Sequence, residues 1–138
     1  MSAKQKGRLF VAAQFALLGL LMVLPSDQVG AATSLAADAV GFIGLGKSLT
    51  ANPVPLEHAK LMTRGIYKYL RHPIYSGLLL LTFGWTLAAG SVMKWVLWLV
   101  LLVLLIQKLK FEEQLLRAKF AGYAAYSQNT KRLIPFIF

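Results

Sequence analysis

The stretch that decides the fold is IYSGLLLLTFGWTLAAGSVMKWVLWLVLLVLLI, residues 74–106. It contains two apolar runs, 74–89 and 92–106, separated only by Gly90 and Ser91, and Lys94 is its single charged residue. Runs of that length and polarity suit a bilayer, and a two-residue break leaves room for nothing but a helical hairpin. Pro73 is placed to open the first of these helices, because a helix start has no use for the missing N–H. Trp95 and Trp98 sit near one end of the second, where an aromatic belt is expected.

Upstream, the pattern repeats more loosely. An apolar run at 9–24, preceded by Lys4, Lys6 and Arg8 and ended by Pro25, predicts a first span. A cleaved secretory signal is the competing reading, since Gly30, Ala31 and Ala32 could form a cleavage site. Residues 34–49, rich in Ala and Gly, predict a second span that packs closely. Asp38 within it reads as a residue near the membrane surface. The prolines of NPVP at 52–55 make a loop, and the stretch that follows is polar enough to lie on the membrane surface. Downstream, QKLKFEEQLLRAKF at 107–120 predicts an amphipathic interfacial helix, with Leu109, Glu112, Glu113, Leu116 and Phe120 close to one stripe.

The expected architecture is therefore all-α and polytopic. It has about four transmembrane helices (9–24, 34–49, 74–89, 92–106), a cytoplasmic C-terminal interfacial helix, and site segments at 51–73 and 107–138 within a single membrane domain, 1–138. The composition agrees: 57% of the 138 residues are hydrophobic and 14% charged, and mean hydropathy is +0.60. The net charge of +10 sits at the ends of apolar runs rather than on one amphipathic face, which reads as membrane topology and not as nucleic-acid binding. In the four-span arrangement every Lys and Arg but Lys94 falls on one side, so both termini are expected in the cytoplasm, as for a multi-pass protein of a prokaryotic inner membrane. Without cysteine, disulfides, thiolate metal sites and cysteine nucleophiles are excluded.

Chemistry concentrates in KLMTRGIYKYLRHPIYS, residues 60–76, where Arg, His and three Tyr crowd between apolar runs. The hairpin should bring His72 and Tyr75 within range of Glu112 and Glu113. The helix start at Pro73 suits an anionic carboxylate and a Glu suits a cation, so a pocket with both would hold a zwitterion. Each position also has a plain structural role open to it. His72 could cap a helix, the tyrosines could anchor at the interface, and the two Glu could be solvated ion pairs. His58 and His72 match no metal-ligand spacing, no nucleophile elbow is present, and no glycine-rich phosphate loop occurs.

The run LMTRGIYKYLRHPIYSG at 61–77, then EEQLLRAKFAGYAAY at 112–126 and RLIP at 132–135, resembles the isoprenylcysteine carboxyl methyltransferase family and its bacterial relatives. Phospholipid N-methyltransferases are more distant relatives. The resemblance covers about 47–135. It implies a membrane methyltransferase using S-adenosylmethionine without a Rossmann domain. Cofactor and a lipophilic or prenylated substrate would meet at the cytoplasmic interface among membrane lipids. It implies cofactor binding by Leu61, Met62, Tyr67, His72, Pro73, Ile74, Tyr75 and Glu112, with Glu113 the alternative if the helix is rotated. Lys108 and Glu113 are the implied catalytic candidates. Lys108 stands where the family has an Arg for the substrate carboxylate, and supplies charge without the bidentate fork. Phe120-Ala121-Gly122-Tyr123 is one residue shorter than the family's pattern. A phospholipid amine N-methyltransferase, or a non-catalytic membrane subunit or transporter, are the other readings.

Overall fold

The computed structural model describes residues 1–24, 60, 61 and 63–138. Among these, four helices account for the fold: α1 (Ala3–Val23), α2 (Pro73–Ala89), α3 (Val92–Lys119) and α4 (Tyr123–Asn129), with a 3-10 turn over Gly65–Lys68 leading into α2. The expected second span, Asp38, Lys47, the prolines at 52–55, His58 and Met62 lie outside the described residues.

α1 begins six residues earlier than the apolar run that announced it. Ser2 forms a capping box with Gln5: its hydroxyl accepts from the Gln5 N–H, and its own N–H donates to Gln5 Oε1 at 2.8 Å. Satisfying those start donors lets the helix form through Lys4, Lys6 and Arg8. Its 21 residues then reach about 32 Å, enough to cross a ~30 Å hydrocarbon layer, which the run 9–24 alone could not do.

The hairpin forms as expected. Gly90 ends α2 with φ 64°, a left-handed backbone that Gly adopts without the Cβ penalty. α3 is longer than the expected span, since 92–106 and the amphipathic segment 107–120 are one rod of 28 residues. No Gly or Pro interrupts it, and its Leu, Lys, Glu, Gln and Arg are good helix formers, so nothing breaks the rod where polarity changes. It ends at Phe120, whose extended backbone leaves its N–H on the Leu116 carbonyl.

α3 is the central element, packed against α1, α2 and α4. Tyr75 meets Glu112 and Thr82 meets Trp98, so α2 runs antiparallel to α3. Phe10 meets Phe111 and Gln14 meets Lys108, so α1 does too. The core between them is leucine: Leu18 and Leu21 from α1, Leu78 and Leu79 from α2, and Leu101, Leu105 and Leu109 from α3, joined by Tyr75 and Leu133. Trp95 and Trp98 close the hairpin end edge-on against Phe83, with centroids 5.3 and 5.4 Å away, and the Trp98 N–H donates to Thr82 Oγ1 at 3.1 Å. Burying one end of these rings and satisfying the indole is a packing role.

The outer surface inverts the usual rule. Leu80 and Leu87 on α2 and Val92, Met93, Val96, Leu99, Val100 and Val103 on α3 are exposed, while Lys94, Lys108 and Glu113 on α3 are buried. An apolar exterior around a leucine core that also holds buried charged groups fits a helix bundle in lipid, where packing and interhelical hydrogen bonds rather than water exclusion hold the helices together. α1 and α3 are each long and apolar enough to cross a membrane, and α2 is a shorter apolar helix.

Candidate functional site

The site lies where the start of α2, the last turns of α3 and the strip 130–133 converge. The strip is fastened to the segment before α2 by main-chain bonds: Arg71 N–H to Lys131 O at 2.8 Å, His72 N–H to Arg132 O at 3.1 Å, and Lys131 N–H to Tyr69 O at 3.1 Å. Ser76 Oγ donates to Leu133 O at 2.6 Å, and the Tyr126 hydroxyl to Tyr67 O at 2.6 Å. Gly65, at φ 64°, makes the turn that carries the chain into this clamp, a conformation that costs a side-chain-bearing residue about 1 kcal/mol or more.

Two adjacent glutamates then do different things. Glu113 faces the clamp: Arg71 Nε donates to it at 2.9 Å and Arg132 Nε at 3.2 Å, with His72 Nε2 3.4 Å away. Arg71 is pinned further by bonds from its guanidinium to the carbonyls of Ser127 and Thr130. Glu112, one position earlier and so about 100° around the rod, faces α2. It accepts a 2.5 Å bond from the Tyr75 hydroxyl and lies 3.5 Å from His72 Nδ1. His72 thus stands between the two carboxylates, its ring stacked on Tyr75 at 5.6 Å.

The plain structural roles fit these side chains poorly. His72 makes no side-chain capping bond to α2, and Tyr75 is 3% exposed, which is no position for an interfacial anchor. The Tyr123 hydroxyl is buried without a hydrogen-bond partner, and His72 Nε2 is buried with only a long contact to Glu113, at 3.4 Å. Each such group costs about 1–3 kcal/mol unless something satisfies it. Burial also pushes the Tyr123 phenol upward, and the neighbouring Glu113 charge adds to this, so the phenol stays a donor.

Lys108, one turn before Glu112, is 1% exposed. Its Nζ donates to Gln14 Oε1 at 2.7 Å and lies 4.9 Å from the Tyr75 ring centroid. Gln14, the one polar residue between 9 and 24, brings α1 into the site, and a lone amide in an apolar run was its available signal. Replacing Gln14 with Leu should leave the ammonium buried and short of its acceptor, costing about 1–3 kcal/mol. Reversible unfolding in mixed micelles measures this, and a stability equal to the parent would refute the assigned role.

Of the other expected residues, Pro73 starts α2 and Ile74 is 39% exposed beside it. Tyr67 contributes its carbonyl to the clamp, and Leu61 is half-buried. The N–H groups of Tyr75 and Ser76 are taken by the His72 carbonyl, which narrows the expected anion site at the α2 start to Ile74. Arg71 and Arg132 were not among the expected site residues. Their signal is the pairing of RH at 71–72 with RL at 132–133, which only the clamp brings together.

This arrangement offers a buried carboxylate, a histidine and a phenol at the end of an apolar bundle. The family model described as phospholipid methyltransferase matches residues 29–122, which include His72, Tyr75, Lys108 and both glutamates. Protein-S-isoprenylcysteine O-methyltransferase B of Arabidopsis thaliana is 30% identical over 83 residues, covering 59% of this chain and 42% of that protein. The aligned part is thus less than half of the relative's length. No solved structure matches the chain. The relative bears out the resemblance read from 61–77 and 112–126, and the family match covers well over half of the residues, so the chain belongs to the phospholipid methyltransferase family.

Proposed function

We propose that this protein is a membrane methyltransferase that binds S-adenosylmethionine at the Glu112 end of the bundle and methylates a lipophilic acceptor reaching the same end from the bilayer. One observation carries the reading. Among the described residues the only carboxylate side chains are Glu112 and Glu113, and Glu113 is already held by two arginines. Glu112 is held by a neutral phenol and faces His72, so it is the carboxylate available to an incoming cation in a chain of net charge +10.

The residues present fit such a ligand. Glu112 suits its ammonium group and the α2 start at Ile74 suits its carboxylate. The cofactor supplies a methyl group activated on a sulfonium. Tyr75 and His72 fix the Glu112 carboxylate, and Lys108 holds positive charge beside it. The buried leucines behind Tyr75 keep water out, which matters because aligned displacement is most of what methyl transfer asks of a protein.

Parallel α1 and α2, with the end of α1 and the start of α2 at opposite ends of the bundle, support an even number of spans, and Lys4, Lys6 and Arg8 at the site's own end of α1 support a cytoplasmic site. The relative's name and the family's description support two acceptors. An isoprenylcysteine-like carboxylate is the first candidate, since the buried Lys108 ammonium can face an anion. A phospholipid amine is the second, from the family's description.

Calorimetric titration of the detergent-purified protein with S-adenosylmethionine and with S-adenosylhomocysteine is the test. Saturable binding of both, weakened about tenfold or more by His72→Ala, is the expected result. Methyl transfer to a prenylcysteine analogue or to phosphatidylethanolamine then identifies the acceptor. A folded sample that binds neither ligand, with lipid present, removes the methyltransferase reading and favours a non-catalytic membrane subunit.

A further inference from the structure

Beside the Glu113 clamp an open cavity of about 370 Å³ is lined by Arg71, Arg117, Lys131 and Arg132, with Gln128 among the polar groups and Ile137 and Phe138 among the apolar ones. Among the described residues no Asp or Glu side chain lines it. Among the described side chains these four cations share one flanking carboxylate, Glu113, which is bonded to Arg71 and Arg132. Arg117 and Lys131 are exposed and stand outside that pairing.

The wall is built rather than incidental. Leu133 and Ile134 N–H groups both donate to Phe138 O, at 2.7 and 2.9 Å. That loop folds the Phe138 ring to 5.3 Å from the Arg132 guanidinium carbon. A cation stacked on an aromatic face beside an apolar edge gives a pocket with a charged floor and a greasy rim.

Its height along the bundle identifies the occupant. With the Gly90 turn at one face of the hydrocarbon layer, Arg117 stands 25 residues beyond Val92, about 38 Å along α3. At the ~20° tilt usual for transmembrane helices that is about 36 Å along the membrane normal, about 6 Å past the ~30 Å hydrocarbon layer and so at the depth of the headgroups on that face. We propose that this cavity is a binding site for the phosphate of an acidic phospholipid, with Arg117 and Lys131 contacting the headgroup and Ile137 and Phe138 lying along the start of its chains. The proposal rests on the membrane reading of α1 and α3 and not on methyl transfer, and it concerns a lipid that holds the clamp side of the site rather than the acceptor.

The test uses the full-length protein in a neutral detergent, titrated with short-chain phosphatidylglycerol, short-chain phosphatidylcholine or inorganic phosphate and followed by thermal unfolding. Saturable stabilisation by phosphatidylglycerol alone is expected. The double variant Arg117→Gln, Lys131→Gln should weaken its half-saturation about tenfold or more. Both side chains are exposed and neither belongs to the Glu113 ion pairs, so this variant should elute and unfold like the parent without lipid. Equal stabilisation by phosphatidylcholine, an unchanged response in the double variant, or inorganic phosphate acting as strongly as the lipid would each overturn the assignment.

Discussion

Glu112→Gln is expected to remove most of the affinity for S-adenosylmethionine while leaving the protein folded. Gln matches Glu in shape and keeps an acceptor for the Tyr75 hydroxyl, so the 2.5 Å contact can persist with a neutral partner. What is lost is the charge. A charge-assisted bond to a cation contributes about 1.5–3 kcal/mol, so binding should weaken about 10–150-fold. Unfolding should shift by less than ~1 kcal/mol. Tyr75→Phe is the informative companion, because it leaves the carboxylate charged but removes the hydroxyl that orients it, and a smaller loss of affinity should result. Calorimetry on the three proteins decides the matter. Unaltered affinity in Glu112→Gln would mean that the carboxylate is structural and the cation site lies elsewhere.

The hairpin and the identity of the meeting residues were legible in the sequence because both depend on local rules. Two apolar runs around Gly90-Ser91 can only fold back on each other, and once they do, residues before α2 must lie beside residues at the end of α3. That placed His72 and Tyr75 opposite Glu112 without any coordinates. What stayed hidden was rotation. Neighbouring positions on a helix differ by about 100°, and α3 carries leucine on several faces, so periodicity could not say which glutamate turns toward Tyr75. The answer depends on the clamp, since Arg71 and Arg132 come from segments 61 residues apart and capture Glu113 between them. Gln14 escaped for a similar reason: a single amide in α1 means nothing until Lys108 is opposite it. The extended α1 and the unbroken α3 were missed because apolar runs mark where lipid begins and ends, not where hydrogen-bonded turns do.

Glu113 gives the second large effect, on stability. Its side chain is 5% exposed and that of Arg71 8%, and both arginines address the one carboxylate. Truncation in Glu113→Ala strands two guanidinium groups, one of them buried, and breaking a buried pair from one side costs about 3–5 kcal/mol. Arg71 retains the Ser127 and Thr130 carbonyls, so the loss should fall mainly on the strip 130–133 and on His72, which loses its neighbour at 3.4 Å. The tail should then loosen before the bundle does. Limited proteolysis should cut near Lys131 and Arg132 at protease levels the parent resists, and unfolding in mixed micelles should show the full loss. Glu113→Gln keeps an acceptor but no charge and should fall between. Because cofactor affinity is assigned to Glu112, affinity in Glu113→Gln should drop less than in Glu112→Gln, and stability should drop more. The opposite ranking in both measurements would exchange the two glutamates' roles, which is the outcome expected if α3 were rotated about its axis.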